Sequence, residues 1–265
     1  MAEVPSVDQA VTLRHISINT VTFADLRAAL GAGVRDFLRA PLMGLFFGGI
    51  YALAGLFIVY ALTALHAPYW VIPAAIGFPL IGPFVAVGLY EISRTLEAGT
   101  PLTWRHVLLV MFESRKRELA WMAFVVLFIF WFWMYQVRLW LAIFLRMQSF
   151  SSVEAFVVVV TTTPEGLAFL TVGTLVGAAL ATVLFSVTVI AIPLMLDHDP
   201  DFITAMIASV RTVLQNKVVM LAWGAFVAIT LIAAMLPLFL GLLVALPVLG
   251  HATWHLYRRA VTVAR

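Results

Sequence analysis

Apolar residues recur along this chain in two registers. Phe23, Leu26, Leu30, Val34 and Phe37 return every three or four residues, with Arg27, Arg35, Asp36 and Arg39 elsewhere. This is the spacing of an amphipathic helix that lies on a surface. Thr22, with Asp25 three residues on, gives that helix a capping-box-like start, and Pro41 ends or turns it. The pattern then changes to Leu42–Leu65, a run without a charge, long enough to cross the roughly 30 Å of bilayer hydrocarbon. His66-Ala67-Pro68 reads as a tight turn and Tyr69-Trp70 as interfacial aromatics. A second span follows over about 69–90, where Pro73, Pro79 and Pro83 with Gly77 and Gly82 predict a kinked helix whose freed carbonyls need neighbours.

The same two registers return twice. In the polar stretch Glu91–Glu118, Thr100-Pro101 reads as N-cap and first helical residue, and Trp104, Val107, Leu108, Met111 and Phe112 form a second amphipathic face. Span three starts near Leu119. Arg138 lies some ~27 Å further along at about 1.5 Å per residue, at the opposite interface, inside the aromatic cluster WFWMYQVRLW. Residues 141–165 hold a short apolar piece, FVVVV, that fits an interfacial or a re-entrant segment. Span four runs from about Gly166 to Ile190 and on through Pro193 to Asp197. Asp199-Pro200 then caps a third amphipathic helix, with Asp201 favouring its dipole and Phe202, Ile203, Met206, Ile207, Val210 and Leu214 on one face. No charge follows Lys217 until Arg258, a stretch too long for one helix and right for two, with a turn near Met235–Phe239.

These returns share more than their register. A shift of 176 positions carries Asp25 onto Asp201, Val34-Arg35 onto Val210-Arg211, Leu38 onto Leu214 and Gly48 onto Gly224, and a shift of 102 carries LAWMAF (Leu119–Phe124) onto LAWGAF (Leu221–Phe226). Pro79-Leu80-Ile81-Gly82 leads to Tyr90 much as Pro247-Val248-Leu249-Gly250 leads to Tyr257. Similarity at a long period means one structural unit used more than once. The expected fold is all-α: a six-span polytopic membrane protein built from three like-oriented units, each an amphipathic helix plus a helical hairpin. The units cover about 25–94, 103–197 and 201–259, within a single membrane domain 22–265. The polar residues 1–21 are expected to be a disordered cytoplasmic tail.

Composition supports lipid as the main solvent. Of 265 residues, 63% are hydrophobic and 11% charged, against about 25% charge in soluble domains, and the mean hydropathy is +1.06. The absence of cysteine excludes disulfides and thiolate metal sites. MAEVPSVDQAVTLRHISINT has no apolar core region, so no cleavable signal peptide is expected. All Lys and Arg except Arg138 and Arg146 fall in the N-terminal region, the 91–118 loop, the 197–217 loop or the C-terminus. With six spans these share one face, and the positive-inside rule puts both termini in the cytoplasm.

GHATWHLYRR, PLIGPFVAVGLYEISRTLEAG and IPLMLDHDPDFITAMIASVRTVLQNK together resemble a group of predicted integral membrane proteins from proteobacteria that carries only a domain-of-unknown-function label. The resemblance covers roughly residues 25–260. It implies a bacterial inner-membrane location and no particular activity.

The candidate chemistry is sparse. His251 and His255 stand four apart on one face of the last span, a spacing that suits metal or haem. Ala252 occupies the place of the general-base Glu in a zinc signature, so hydrogen bonds to neighbouring helices or to headgroups are the expectation and no metal is assigned. Asp197, Asp199 and Asp201 lack the further oxygen ligands and closing Glu of a calcium loop. Arg115, Lys116, Arg117, Arg258 and Arg259 are the candidate headgroup or interface residues. Gly44, Gly48, Gly49 and Gly55 read as a close-packing seam.

No stretch supplies a nucleophile with a paired base, a phosphate-binding glycine loop or mid-membrane carboxylates, which weighs against an enzyme and a proton-driven carrier. The expected function is that of a non-enzymatic module, without catalytic residues or cofactor, whose partners are the bilayer and other inner-membrane proteins and not nucleic acid. The alternative is a small-solute or lipid transporter with a cavity between three hairpins. Mitochondrial carriers share that architecture, but their P-x-[DE]-x-x-[KR] signature is missing here.

Overall fold

A computed structural model describes residues 16–64, 71–113, 116–146, 148, 150 and 152–264. Its helices are α1 (Phe23–Arg39), α2 (Pro41–Thr63), α3 (Val71–Glu97), α4 (Trp104–Glu113), α5 (Lys116–Leu145), α6 (Val153–Thr162), α7 (Pro164–Thr188), α8 (Ala191–His198), α9 (Phe202–Gln215), α10 (Lys217–Met235) and α11 (Leu242–Ala260). Two short strands accompany them, β1 (Ile16–Ile18) and β2 (Val261–Val263), paired antiparallel with Ser17 opposite Thr262. The all-α expectation therefore holds apart from this small ribbon. Ile16–Ile18 belong to the stretch read as a disordered tail. They are ordered because the chain's end offers them a strand partner, a long-range pairing with no local signal. Residues 1–15 of that tail and the His66–Trp70 turn lie outside the described residues.

Among the described residues, four helical stretches are long and apolar enough to cross a membrane: Pro41–Thr63, Glu118–Leu145, Pro164–His198 and Lys217–Met235. The second expected span, about 69–90, lies largely outside the residues whose side chains are described. The sixth, α11, is not among the four, because it carries His251, Thr253, His255, Arg258 and Arg259 in its C-terminal half. α3 runs as one helix through Pro73, Pro79 and Pro83. The turn between α10 and α11 falls at 236–241, around Pro237.

The chain divides into two compact units, one of Met1–Ala123 with Ser186–Arg265 and one of Phe124–Phe185. In the first unit α11 is the hub, flanked by α1, α2, α3 and α10. The approach of α1 is close: a Cβ on Gly33 would lie 2.6 Å from the Ala252 nitrogen and 2.7 Å from the Val248 oxygen. Further along, a Cβ on Gly48 of α2 would lie 2.7 Å from the Leu242 oxygen. Only glycine lets two backbones meet so closely. Ala40, Met43, Phe47, Val85, Leu89, Ile92 and Val107 form a buried cluster where α2, α3 and α4 converge. In the second unit, Ser152 caps α6 by accepting from the Ala155 N–H at 3.1 Å, and Gly166 of α7 packs directly on the α6 backbone at Val159 and Val160.

α1 and α9 turn a face of small residues inward. Ala29, Ala32, Gly33 and Asp36 of α1 are buried, while Phe23 is 51% and Leu38 68% exposed. In α9 the buried residues are Ala205, Ala208, Ser209, Thr212 and Val213, while Ile203 is 55% and Leu214 56% exposed. Small residues seat each helix on the core, and the large apolar residues form an outer face free for lipid. Asp36 is buried opposite His255, and Ser209 opposite Ser186 and Ile190.

Helix ends explain where each segment stops. Thr22 and Asp25 form the expected capping box of α1, Thr22 Oγ1 accepting from Asp25 N and Asp25 Oδ2 accepting from Thr22 N. Two expected caps are displaced. Asp201, not Asp199, caps α9 by accepting from Thr204 N at 2.9 Å, and Asp199 closes α8 in a left-handed conformation at φ 58°. Thr103, not Thr100, accepts from His106 N at the start of α4. Thr100 belongs to the turn after α3, where Gly99 at φ 66° reverses the chain and Thr100 N donates to Thr95 O.

Candidate functional site

A polar layer gathers the ends of several helices of the first unit around the C-terminal half of α11. The first part joins α1, α3 and α11. His255 Nε2 lies 2.6 Å from Asp36 Oδ2, and His251 Nδ1 lies 2.9 Å from Ser93 Oγ. The Ser93 hydroxyl also helps to stabilise charge on Asp36. The buried Nε2 of His251 has no partner among the described residues. Burial opposes charge on Asp36, but the hydrogen bonds from His255 and Ser93 and the nearby imidazoles outweigh it and hold the carboxyl below its ordinary range.

The second part joins α3, α8 and α11. Tyr257 Oη donates to Asp197 Oδ2 at 2.9 Å, and Arg258 Nη1 donates to the same oxygen at 3.0 Å. Arg258 Nε reaches Glu97 Oε1 at 3.3 Å, and Trp254 Nε1 donates to Glu97 Oε2 at 3.1 Å. Arg94 Nη1 donates to Leu196 O at 3.4 Å. The third part joins α3 to α4: buried Glu91 meets His106 Nε2 at 2.7 Å and Thr95 Oγ1 at 3.2 Å. Arg94 Nη2 stands 2.8 Å from Glu91 Oε2 without aiming an N–H at it, so that contact is ion pairing without a hydrogen bond.

The fourth part ties the chain's ends together. Asn216, the residue between α9 and α10, accepts from Val21 N at 2.8 Å and donates to Asn19 O at 3.1 Å and Thr212 O at 3.2 Å. Asn19 in turn donates to Arg259 O at 2.9 Å, and Arg259 Nη1 reaches Asp25 at 3.2 Å. Hydrogen bonds from Thr22 hold the Asp25 carboxyl below its ordinary range.

Each sequence candidate can now be placed. His251 and His255 share a helix face but address different neighbours, α3 and α1, and do not converge on a common ligand position. No cluster of metal-ligating side chains occurs among the described residues. Arg258 and Arg259 are turned into intramolecular ion pairs. Arg115 and the side chains of Lys116 and Arg117 lie outside the described residues. Asp36, Glu91, Ser93 and Asn216 were not singled out by sequence reasoning. A charged residue on the small-residue face of α1, one turn from Gly33, was the signal available for Asp36. Chemically, the layer holds helices in register by charge-assisted hydrogen bonds, with its central groups, Glu91, Ser93 and His251, fully buried.

No curated protein and no solved structure matches the chain at a significant level. The tail GHATWHLYRR lies outside the family match that does occur. Residues 71–197, from α3 through α8, match the model of a family described as predicted integral membrane protein (DUF2189), the kind of domain-of-unknown-function membrane family that the sequence resembles.

Proposed function

We propose that the chain is a non-enzymatic, multi-pass module of a bacterial inner membrane that associates with other membrane components. It crosses the membrane six times as three like-oriented units, with both termini in the cytoplasm. The observation that carries this reading is the use of the polar side chains. Asp36, Glu91, Ser93, Asp197, His251 and His255 are all engaged in joining one helix to another, while large apolar residues face outward along α1, α2, α5, α9 and α10. A scaffold of packed helices needs such an arrangement.

The three-unit reading is supported by coincident registers. α1 and α9 end 176 positions apart, at Arg39 and Gln215, and the next residues, Ala40 and Asn216, leave the helical region alike (φ −132°, ψ 53° and φ −114°, ψ 38°) before α2 and α10 begin. The same shift carries buried Ala29, Ala32, Gly33 and Asp36 onto buried Ala205, Ala208, Ser209 and Thr212. The short helices also follow one another head to tail. Trp104 at the start of α4 meets Phe46 of α2, Phe202 at the start of α9 meets Trp121 of α5, and Val21 before α1 meets Asn216 before α10. Each amphipathic helix thus begins beside the start of another unit's first span.

Tagged full-length protein purified in mild detergent tests the reading. The expected result is reproducible recovery of one or a few membrane proteins. Recovery of the chain alone, together with solute flux in proteoliposomes, would replace this reading with transport.

A further inference from the structure

We propose that the outer faces of α1, α4 and α9 form a collar that binds the headgroups of anionic phospholipids. The described cations of the first unit fall into two sets. Arg94, Arg258 and Arg259 are held by Glu91, Glu97, Asp197 and Asp25. Arg27, Arg35 and Arg39 of α1, Arg105 of α4, Arg211 of α9 and Lys217 at the start of α10 are exposed and have no ion-pair partner among the described residues. The unpaired set lies on the collar, so the free positive charge sits where the head-to-tail ring meets its surroundings. It is displaced from the C-terminal arginines singled out by sequence.

The apolar exposure is on the same helices. Phe23, Val34 and Leu38 of α1, Trp104 of α4, and Ile203, Ile207 and Leu214 of α9 stand outward. α1 and α9 bury small residues, expose large apolar ones and flank them with unpaired cations, an arrangement suited to the boundary between headgroups and acyl chains. Anionic lipid supplies the missing counter-charge, and basic residues near such a surface attract it by about fivefold each in affinity. The proposal rests on the like orientation of α1, α4 and α9 and names the lipid class they take.

The test is electron paramagnetic resonance on full-length protein reconstituted in vesicles of equal parts phosphatidylglycerol and phosphatidylcholine, with spin-labelled phosphatidylglycerol or phosphatidylcholine as probe. The wild-type chain should immobilise phosphatidylglycerol several-fold more strongly, and the preference should shrink as salt rises. R27Q/R35Q/R39Q should lose most of that several-fold preference, and R27K/R35K/R39K should keep it. These side chains are exposed, and unchanged helicity of the Gln variant by circular dichroism separates lost binding from lost fold. No preference in the wild type, or a preference untouched in a folded Gln variant, overturns the proposal. Vesicle binding is indifferent to which leaflet the collar faces, so an inverted topology leaves this result unchanged and is detected separately by reporter fusions.

Discussion

Two glycines in one helix give the sharpest test of how α1 is seated. Gly31 and Gly33 share the helix, and alanine at either gains up to about 1 kcal/mol of helix propensity. Their surroundings differ. A Cβ at Gly31 meets the Arg35 side chain at 3.6 Å, an ordinary contact that a flexible guanidinium accommodates. A Cβ at Gly33 would lie 2.6 Å from Ala252 N, 2.7 Å from Val248 O and 2.9 Å from Ala252 Cα, all backbone atoms of α11. The only relief is to move α1 away from α11, and forced overpacking costs about 1–3 kcal/mol. Displacement also stretches the His255–Asp36 contact one turn away. Gly31→Ala is therefore expected to be neutral to slightly stabilising, and Gly33→Ala to be about 1–3 kcal/mol less stable than Gly31→Ala, the propensity gain cancelling between them. For a chain of this size about 1 kcal/mol moves the midpoint by roughly 2–4 °C, so the variants should melt several degrees apart in mild detergent, read by circular dichroism. Equal midpoints, or a Gly33→Ala protein more stable than Gly31→Ala, would refute the packing of α1 on α11.

Three further expectations follow from the polar layer. Asn216→Ala removes three hydrogen bonds worth about 1 kcal/mol each. Amides of residues 17–21 should then exchange hydrogen faster, and unchanged protection there would show that Asn216 does not hold the N-terminal segment. The lowered Asp36 carboxyl contributes stability that is present above its ordinary value and is lost as pH falls through its folded-state value. The stability gap between wild type and Asp36→Asn should accordingly narrow as pH falls through and below the ordinary carboxylate range, and a gap that widens on acidification would contradict the assigned network. Purified protein should hold no stoichiometric metal and show no haem band, whereas a band removed by His251→Ala would overturn the assignment of the two histidines to helix packing.

Much of the helical plan was legible because a bilayer imposes simple requirements. Charge-free length marked α2, α5, α7 and α10, and the charge gap from Lys217 to Arg258 marked a hairpin whose turn falls where Pro237 stands. The Thr22–Asp25 cap was legible because both partners are within one turn. The inward face of α1 and α9 was not. Periodicity identifies the large apolar residues, and in water these face the core. Here the core takes Ala29, Ala32 and Gly33 because they permit close backbone approach, leaving Phe23 and Leu38 outside. Asp199 and Thr100 looked like caps because an Asp or Thr stands before a proline. Which residue caps was decided by the turns they close, at Asp199 and Gly99, whose φ values no local pattern specifies. The histidine spacing found a true feature of α11 but not its partners, since Ser93 and Asp36 come from helices 158 and 219 positions away in the chain.

The like orientation of the three amphipathic helices is the central claim, and cysteine labelling in intact cells tests it most directly. The chain contains no cysteine, so single cysteines at the exposed positions Ala98, Glu154, Gln215 and Arg259 report without background. Orientation from the basic residues predicts that a membrane-impermeant maleimide labels the Glu154→Cys protein in whole cells and reaches the other three only after permeabilisation. Labelling of Gln215→Cys from outside while Ala98→Cys stays protected would place α4 and α9 on opposite faces and contradict the account.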